Sequence, residues 1–293
     1  MRFPWSSAVR ANHRGNAAAD ANQHAAAEAS YREAVRLDPD WSEPHFNLGL
    51  LYKLTGRWRD SLDANLRASS LTPSAGEPCW WNLGIAATAL QDWSTARRAW
   101  CAYGLTVPDG TGPIVMELGD VPIRLKPDAE VVWCVRLDPA RACIMNIPLS
   151  GTSHRYRDIL LHDGAASGHR VINGVEIPVF NELTVLEPSP FRTHVVAVRC
   201  TGPADTEELQ RITEGAGGAC EDWTKTWVPL CKKCSEGTPH EHTAQPDLAW
   251  QPDRMCGIAV PQASDPRAIL ADWLTGDPSR RAQIDDASTM AGP

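Results

Sequence analysis

The stretch CKKCSEGTPHEH, Cys231 to His242, gathers two cysteines and two histidines within twelve residues. A zinc ion takes four such ligands in a tetrahedron. Cys231-x-x-Cys234 is a tight chelating turn in which two thiolates point one way. His240 and His242 flank a single residue, and in an extended segment alternate side chains share a face. The intervening loop is short and contains Gly237 to turn on. Two thiolates and two neutral imidazoles also balance the charge of Zn²⁺, which lowers the cost of burying it. The expectation is a zinc site with Cys231, Cys234, His240 and His242 as ligands. Cys220 or Cys256 could replace one histidine. A redox-active Cys-x-x-Cys, or free thiols beside solvated histidines, are the competing readings.

A catalytic zinc keeps one position open for water and needs a base nearby. Glu241 and Glu236 are the candidates, but in an extended segment Glu241 faces away from both imidazoles. The order of ligands is the reverse of that in zinc deaminases, and no His-Glu-x-x-His is present. A closed, structural zinc is therefore expected, and no catalytic residue is assigned.

The elements that must hold this stretch alternate in type. THVVAVRC (193–200) reads as a strand, DTEELQRITEGAGG (205–218) as a helix capped by Asp205 or Thr206, and ACEDWTKTWVPL (219–230) as a strand. After the Cys/His stretch come the strand MCGIAV and the helix DPRAILADWLTG, with Pro266 in its first turn. This order suggests a small α+β sandwich over residues 190–276, with a disordered tail over 277–293. Residues 110–189 read as a β-rich domain, either a small barrel or a bent sheet. Their signals are a turn at Asp138-Pro139 between two strands and Asn173-Gly174, a hairpin dipeptide. HRYRDILLHDG collects His154, Arg155, Tyr156, Asp158, His162 and Asp163. Those groups could line a hydrolase or nuclease pocket, but such clusters are more often the polar side of a strand and its turn.

Composition narrows the class. The chain has 293 residues with 43% hydrophobic and 22% charged, so it can bury at least one real core. A net charge of -8 argues against binding to duplex nucleic acid, which calls for a basic face. No apolar run is long enough to span a bilayer, and the first residues lack a secretion-signal core. The nine cysteines are accordingly read as thiols or metal ligands in a reducing cytoplasm.

Residues 1–109 carry an internal period. LGLLY at 48–52 is echoed by LGIAA at 83–87, and Pro39, Pro73 and Pro108 are spaced 34 and 35 apart. A first unit shows Ala27, Tyr31, Ala34 and Pro39. A second shows Leu48, Gly49, Tyr52, Ala68 and Pro73, and a third Trp80, Leu83, Gly84, Ala96, Trp100 and Pro108. Over roughly residues 10–108 this pattern resembles the tetratricopeptide repeat (TPR). It departs from that family at His45, where Trp is usual, and at Ser61, Asn65, Ala87 and Tyr103. The resemblance implies about three helical hairpins, a binding scaffold, and a groove lined by first helices. His45, Asn47, Lys53, Asn82 and Thr88 are the polar candidates for that groove. Gly49 and Gly84 are expected at close helix approaches. NAAADANQHAAAEAS (16–30) is read as one frayed or capping helix.

The fold class that follows is multidomain: all-α tetratricopeptide hairpins, then the β-rich domain, then the α+β sandwich. The chain also resembles bacterial tetratricopeptide proteins with a Cys/His-containing C-terminal region. The leading functional reading is a cytoplasmic adaptor that takes a protein or peptide ligand in the groove and carries a structural zinc, without membrane or nucleic-acid partners. The alternatives are a metal-dependent, hydrolase-like enzyme with the repeats as docking arm, and an immunity protein that neutralises a toxin.

Overall fold

Six segments with apolar residues at helical spacing, each followed by a residue that ends it, become six helices. In the computed structural model, which describes residues 6–127, 130–172, 175–226 and 250–285, these are α1 (Ser7–Asp20), α2 (His24–Leu37), α3 (Ser42–Leu54), α4 (Trp58–Leu71), α5 (Pro78–Ala89) and α6 (Trp93–Tyr103). Ser6 caps α1 by accepting from the Val9 N–H at 3.2 Å, and Asp92 caps α6 by accepting from Thr95 at 3.1 Å. Each turn inside a hairpin is closed by one left-handed residue: Asn22 (φ 55), Gly56 (φ 71) and Gln91 (φ 58). They are spaced 34 and 35 apart, so the backbone repeats with the same period as the prolines. The Asn22 turn splits the alanine-rich stretch into α1 and α2, which corrects the expectation of a single helix over 16–30.

Three close approaches hold the hairpins. A Cβ on Gly15 would strike the Tyr31 ring, one on Gly49 the Asn65 amide, and one on Gly84 the Trp100 ring, 2.5 Å away. Ser61 donates to the Gly49 carbonyl at 2.8 Å and Asn65 Nδ2 to the Ser61 carbonyl at 2.8 Å, so the hydroxyl and the amide donor at these departures from the repeat pattern are engaged, while Asn65 Oδ1 is buried without a partner among the described residues. The chain divides into two compact units. The helices form the first, Met1–Leu118, together with Leu137–Arg141. The Asp138–Arg141 turn is fixed within that unit: Asp138 accepts from the Ala140 and Arg141 N–H groups, and Arg141 donates to the Ile114 carbonyl at 2.7 Å.

The second unit contains a barrel and a sheet. The barrel strands are β1 (Asp120–Arg124), β2 (Val131–Arg136), β3 (Arg141–Ile144), β4 (Ile159–Ile172) and β5 (Val175–Glu187). They follow sequence order, and a parallel β1–β5 pairing, Ile123 opposite Phe180, closes the circle. Ile172 pairs with Val175; the hairpin dipeptide Asn173-Gly174 itself lies outside the described residues. Val121, Ile123, Cys134, Ile144, Leu160 and Phe180 fill the interior.

The sheet that follows comprises β6 (Phe191–Arg199), β7 (Ala219–Asp222), β8 (Asp253–Pro261) and β9 (Arg281–Ile284), ordered β7-β8-β6-β9 and antiparallel throughout. Helices α7 (Pro203–Gly215) and α9 (Pro266–Thr275) cover the face carrying Val196, Val198, Cys256, Ile258 and Val260. On the opposite face Val195 and Ala259 pack with Trp223 and with Ile147, which follows β3. Three sequence expectations change. The strand read over 219–230 ends at Asp222, where the four-residue helix α8 (Trp223–Thr226) begins and turns the Trp223 indole onto the sheet. The tail read as disordered from 277 contributes β9. Residues 110–189 and 190–276, read as separate domains, share the Ile147–Trp223 core, because a four-stranded sheet has two faces and the helices cover only one.

Candidate functional site

On α1, Asn12 and Asn16 are four residues apart and therefore share a face. Asn47 of α3 bridges them: its Nδ2 donates to Asn12 Oδ1 at 2.9 Å and to Asn16 Oδ1 at 3.2 Å. Asn12 in turn donates to Glu43 Oε1 at 2.7 Å, and the Tyr31 hydroxyl donates to Asn16 Oδ1 at 3.0 Å. Asn12 is fully buried, which fixes the rotamers of the row. A primary amide offers two donor hydrogens and an acceptor oxygen. Among the described residues, Asn47 Oδ1 and Asn16 Nδ2 make no hydrogen bond. The row thus keeps one amide acceptor and one amide donor outside the hydrogen bonds formed among the described residues.

Of the groove residues named from sequence, Asn47 belongs to this row. His45 is half-buried, with Nε2 3.1 Å from the Pro39 carbonyl. Lys53 is 4% exposed, Asn82 5% and Thr88 0%. Those three are corrected from groove-wall residues to packed ones: Thr88 and Lys53 occupy equivalent places in successive repeats, and both turn inward. Asn82 is the repeat counterpart of Asn47 but lies among the packed residues of α5. Asn12 and Asn16 were missed. Their signal was present as two amides at i, i+4, with Asn47 thirty-five residues beyond Asn12.

In the second unit the stretch around HRYRDILLHDG does converge, but inward. His154 is 5% exposed and its Nε2 lies 2.8 Å from Glu182 Oε2, which also accepts from the Lys126 N–H at 2.8 Å. Asp158, 1% exposed, accepts from the Ser189 and Arg155 N–H groups, each at 2.7 Å. These groups brace the chain around the barrel: backbone N–H groups take both oxygens of Asp158 and one of Glu182.

The two histidines titrate in opposite senses. Burial of His154 disfavours its charge, yet Glu182, Asp158 and Glu130 outweigh it and raise the pKa. Burial of His45, with Arg67 nearby, lowers its pKa despite the Pro39 carbonyl and Asp40. A raised folded pKa stabilises below the unfolded value and is lost as pH rises through the folded one; a lowered pKa does the reverse. As pH rises above about 6.5, the second unit should therefore lose stability, whereas the helical unit gains its stability as pH rises toward about 6.5 from below. Unit-resolved hydrogen exchange on both sides of that pH tests this, and His154→Gln should flatten the loss. An unchanged slope in that variant would refute the assignment.

Cys231, Cys234, His240 and His242 lie outside the described residues. Among the described residues no three metal-ligating side chains cluster. Cys220 and Cys256, the alternative ligands, meet on neighbouring strands; the hydrogen bond to Cys220 and burial together push the Cys256 thiol up. No described helix is long and apolar enough to cross a membrane.

A family model described as a TPR repeat matches residues 15–56. That segment is similar to a tetratricopeptide repeat. It spans the Asn16–Asn47 contact and both Tyr31 and Tyr52, which pack in one cluster. Similar solved structures include the second TPR of Spaghetti (RPAP3) bound to the HSP90 peptide SRMEEVD, 17% identical, covering 33% of this chain and 90% of that one, with a TM-score of 0.32. The first TPR of Spaghetti with the same peptide is 19% identical, covering 33% and 75%, with a TM-score of 0.31. The Sgt2 TPR domain from Aspergillus fumigatus is 21% identical, covering 34% and 66%, with a TM-score of 0.32. No curated protein matches the chain.

Proposed function

We infer that the helical unit is a docking module of about three tetratricopeptide hairpins that takes an extended peptide segment of a partner protein, and that the chain works as a cytoplasmic adaptor. The single observation behind this reading is the Asn12–Asn47–Asn16 row, which keeps one amide acceptor and one amide donor available on a prepositioned face. The tetratricopeptide match over the same helices agrees with it. A polar row of this kind reads main chain, so sequence preference in the ligand must come from neighbouring side chains. A structural zinc held by Cys231, Cys234, His240 and His242 belongs to the same reading, as a clip in the second unit that does no chemistry.

The test is selection of a displayed random-peptide library against the full chain, followed by titration of the recovered peptides. Asn47→Ala should weaken them about tenfold or more, the scale of one lost hydrogen-bonding amide, with helicity unchanged. Recovered peptides that bind the variant equally well would sink the docking reading. Elemental analysis of unchelated protein decides the zinc independently: close to one equivalent, lost in Cys231→Ser, is expected.

A further inference from the structure

β9 is the last strand on its side of the sheet among the described residues. Its inner edge pairs with β6, Ile284 opposite Val196, and the Asp285 N–H donates to the Val195 carbonyl at 2.9 Å. Antiparallel alternation then turns the N–H and C=O groups of Arg281, Gln283 and Asp285 toward β6 and those of Ala282 and Ile284 outward. Beside that outer edge runs a groove of ~300 Å³ lined by Arg267, Leu270, Ala271 and Leu274 of α9 and by Ala282 and Ile284. The four α9 residues are spaced i, i+3, i+4, i+7, one stripe of the helix. An edge of outward donors and acceptors next to an apolar groove is a template for one more strand.

The sequence of the edge says which strand fits. We propose that β9 pairs antiparallel with β9 of a second copy of this chain, across a two-fold axis at Gln283. In that register Ala282 stands opposite the partner subunit's Ile284, and the reverse. Both are outward-facing residues, as a hydrogen-bonded pair requires, and the match makes about four main-chain hydrogen bonds. The small and large side chains lie on the groove side, where Leu270 and Leu274 flank them. Arg281, exposed on the other face, comes opposite the partner subunit's Asp285, also exposed. Shifting the axis to Ala282 or Ile284 keeps the hydrogen bonding but loses this charge match, so complementarity selects one register. Arg281 is already oriented by its Nη1 bonds to the Pro278 and Arg280 carbonyls, 2.6 Å each. Within one chain Arg281 and Asp285 are about 13 Å apart along the strand, too far to pair with each other.

A contact this short makes a weak dimer, with a dissociation constant expected in the range of about 10–100 µM. For an adaptor it would double the docking modules, and avidity would follow. Sedimentation velocity of the full chain across that concentration range is the experiment. Arg281→Asp and Asp285→Arg should each raise the dissociation constant at least tenfold, and the double swap should return it to within about threefold. Hydrogen exchange at Ala282 and Ile284 should slow with concentration, while Gln283 stays unchanged. A wild-type chain that stays monomeric at several hundred micromolar overturns the proposal. So does a dimer indifferent to the single reversals, or one that the double swap fails to restore. None of these variants touches the Asn47 row, so peptide titration reports on the docking reading separately.

Discussion

Arg280→Ala should cost the second unit about 3–5 kcal/mol, the scale of breaking a buried ion pair on one side. Arg280 is 6% exposed and its guanidinium has four engagements. Nε and Nη2 donate to Asp205 Oδ1 at 3.0 and 2.6 Å, Nη2 to Glu208 Oε2 at 2.6 Å, and Nη1 to the Trp273 carbonyl at 2.7 Å. It thereby ties α7, α9 and the approach to β9 together. The alanine variant leaves Asp205 ionised and 5% exposed with only the Thr201 N–H and hydroxyl as partners. Urea unfolding followed through Trp273 measures the loss. Asp205 adds a signature: burial pushes its carboxyl up, but the Thr201 donors and Arg280 hold it below the usual range. A depressed folded pKa stabilises above about pH 4 and is lost as pH falls through the folded value. The wild type should therefore weaken in acid more steeply than Arg280→Ala. A loss under about 1 kcal/mol would show the network to be replaceable packing.

Trp100→Ala should be as damaging to the helical unit. Trp100 is fully buried, with its ring 5.0 Å from that of Trp81 in an edge-on arrangement. Removing a buried aromatic of this size costs about 3–5 kcal/mol. The same contact predicts coupling with Gly84, where an added Cβ would lie 2.5 Å from the Trp100 ring. Gly84→Ala alone should destabilise by about 1–3 kcal/mol through overpacking. Beside Trp100→Leu, which opens space, the same alanine should cost less than it does alone. A double-mutant cycle on helix unfolding reads that difference. Strict additivity would mean that Gly84 serves some purpose other than admitting the indole.

The helical unit was legible because its determinants are close in sequence and recur. Glycine at 15, 49 and 84 meets Tyr31, Asn65 and Trp100 respectively, each partner sixteen residues on. The period alone announces the packing. The pairing of β4 with β5 was legible for a related reason, since two strand-like runs flank a dipeptide whose type favours tight hairpins. Legibility stopped where an element depends on a distant partner. The 219–230 stretch alternates like a strand throughout, yet Trp223 finds its place beneath Ile147 of a segment seventy-six residues earlier, donating to the Ile147 carbonyl at 3.3 Å, and the strand ends there. The polar tail carries no strand signal, and β9 forms because β6 offers an unpaired edge and Arg280 anchors the approach.

Local sequence therefore determined most of the helices, the repeat and its close contacts, and the Cys-x-x-Cys and His-x-His spacing within Cys231 to His242. Tertiary structure alone decided that Asn12, Asn16 and Asn47 form one row, that Lys53, Asn82 and Thr88 turn inward, and that β1 meets β5 to close the barrel. Helical periodicity says which residues share a face but not what that face meets. That is set by long-range packing, in which the entropy of closing a loop is repaid by contacts that no local window contains.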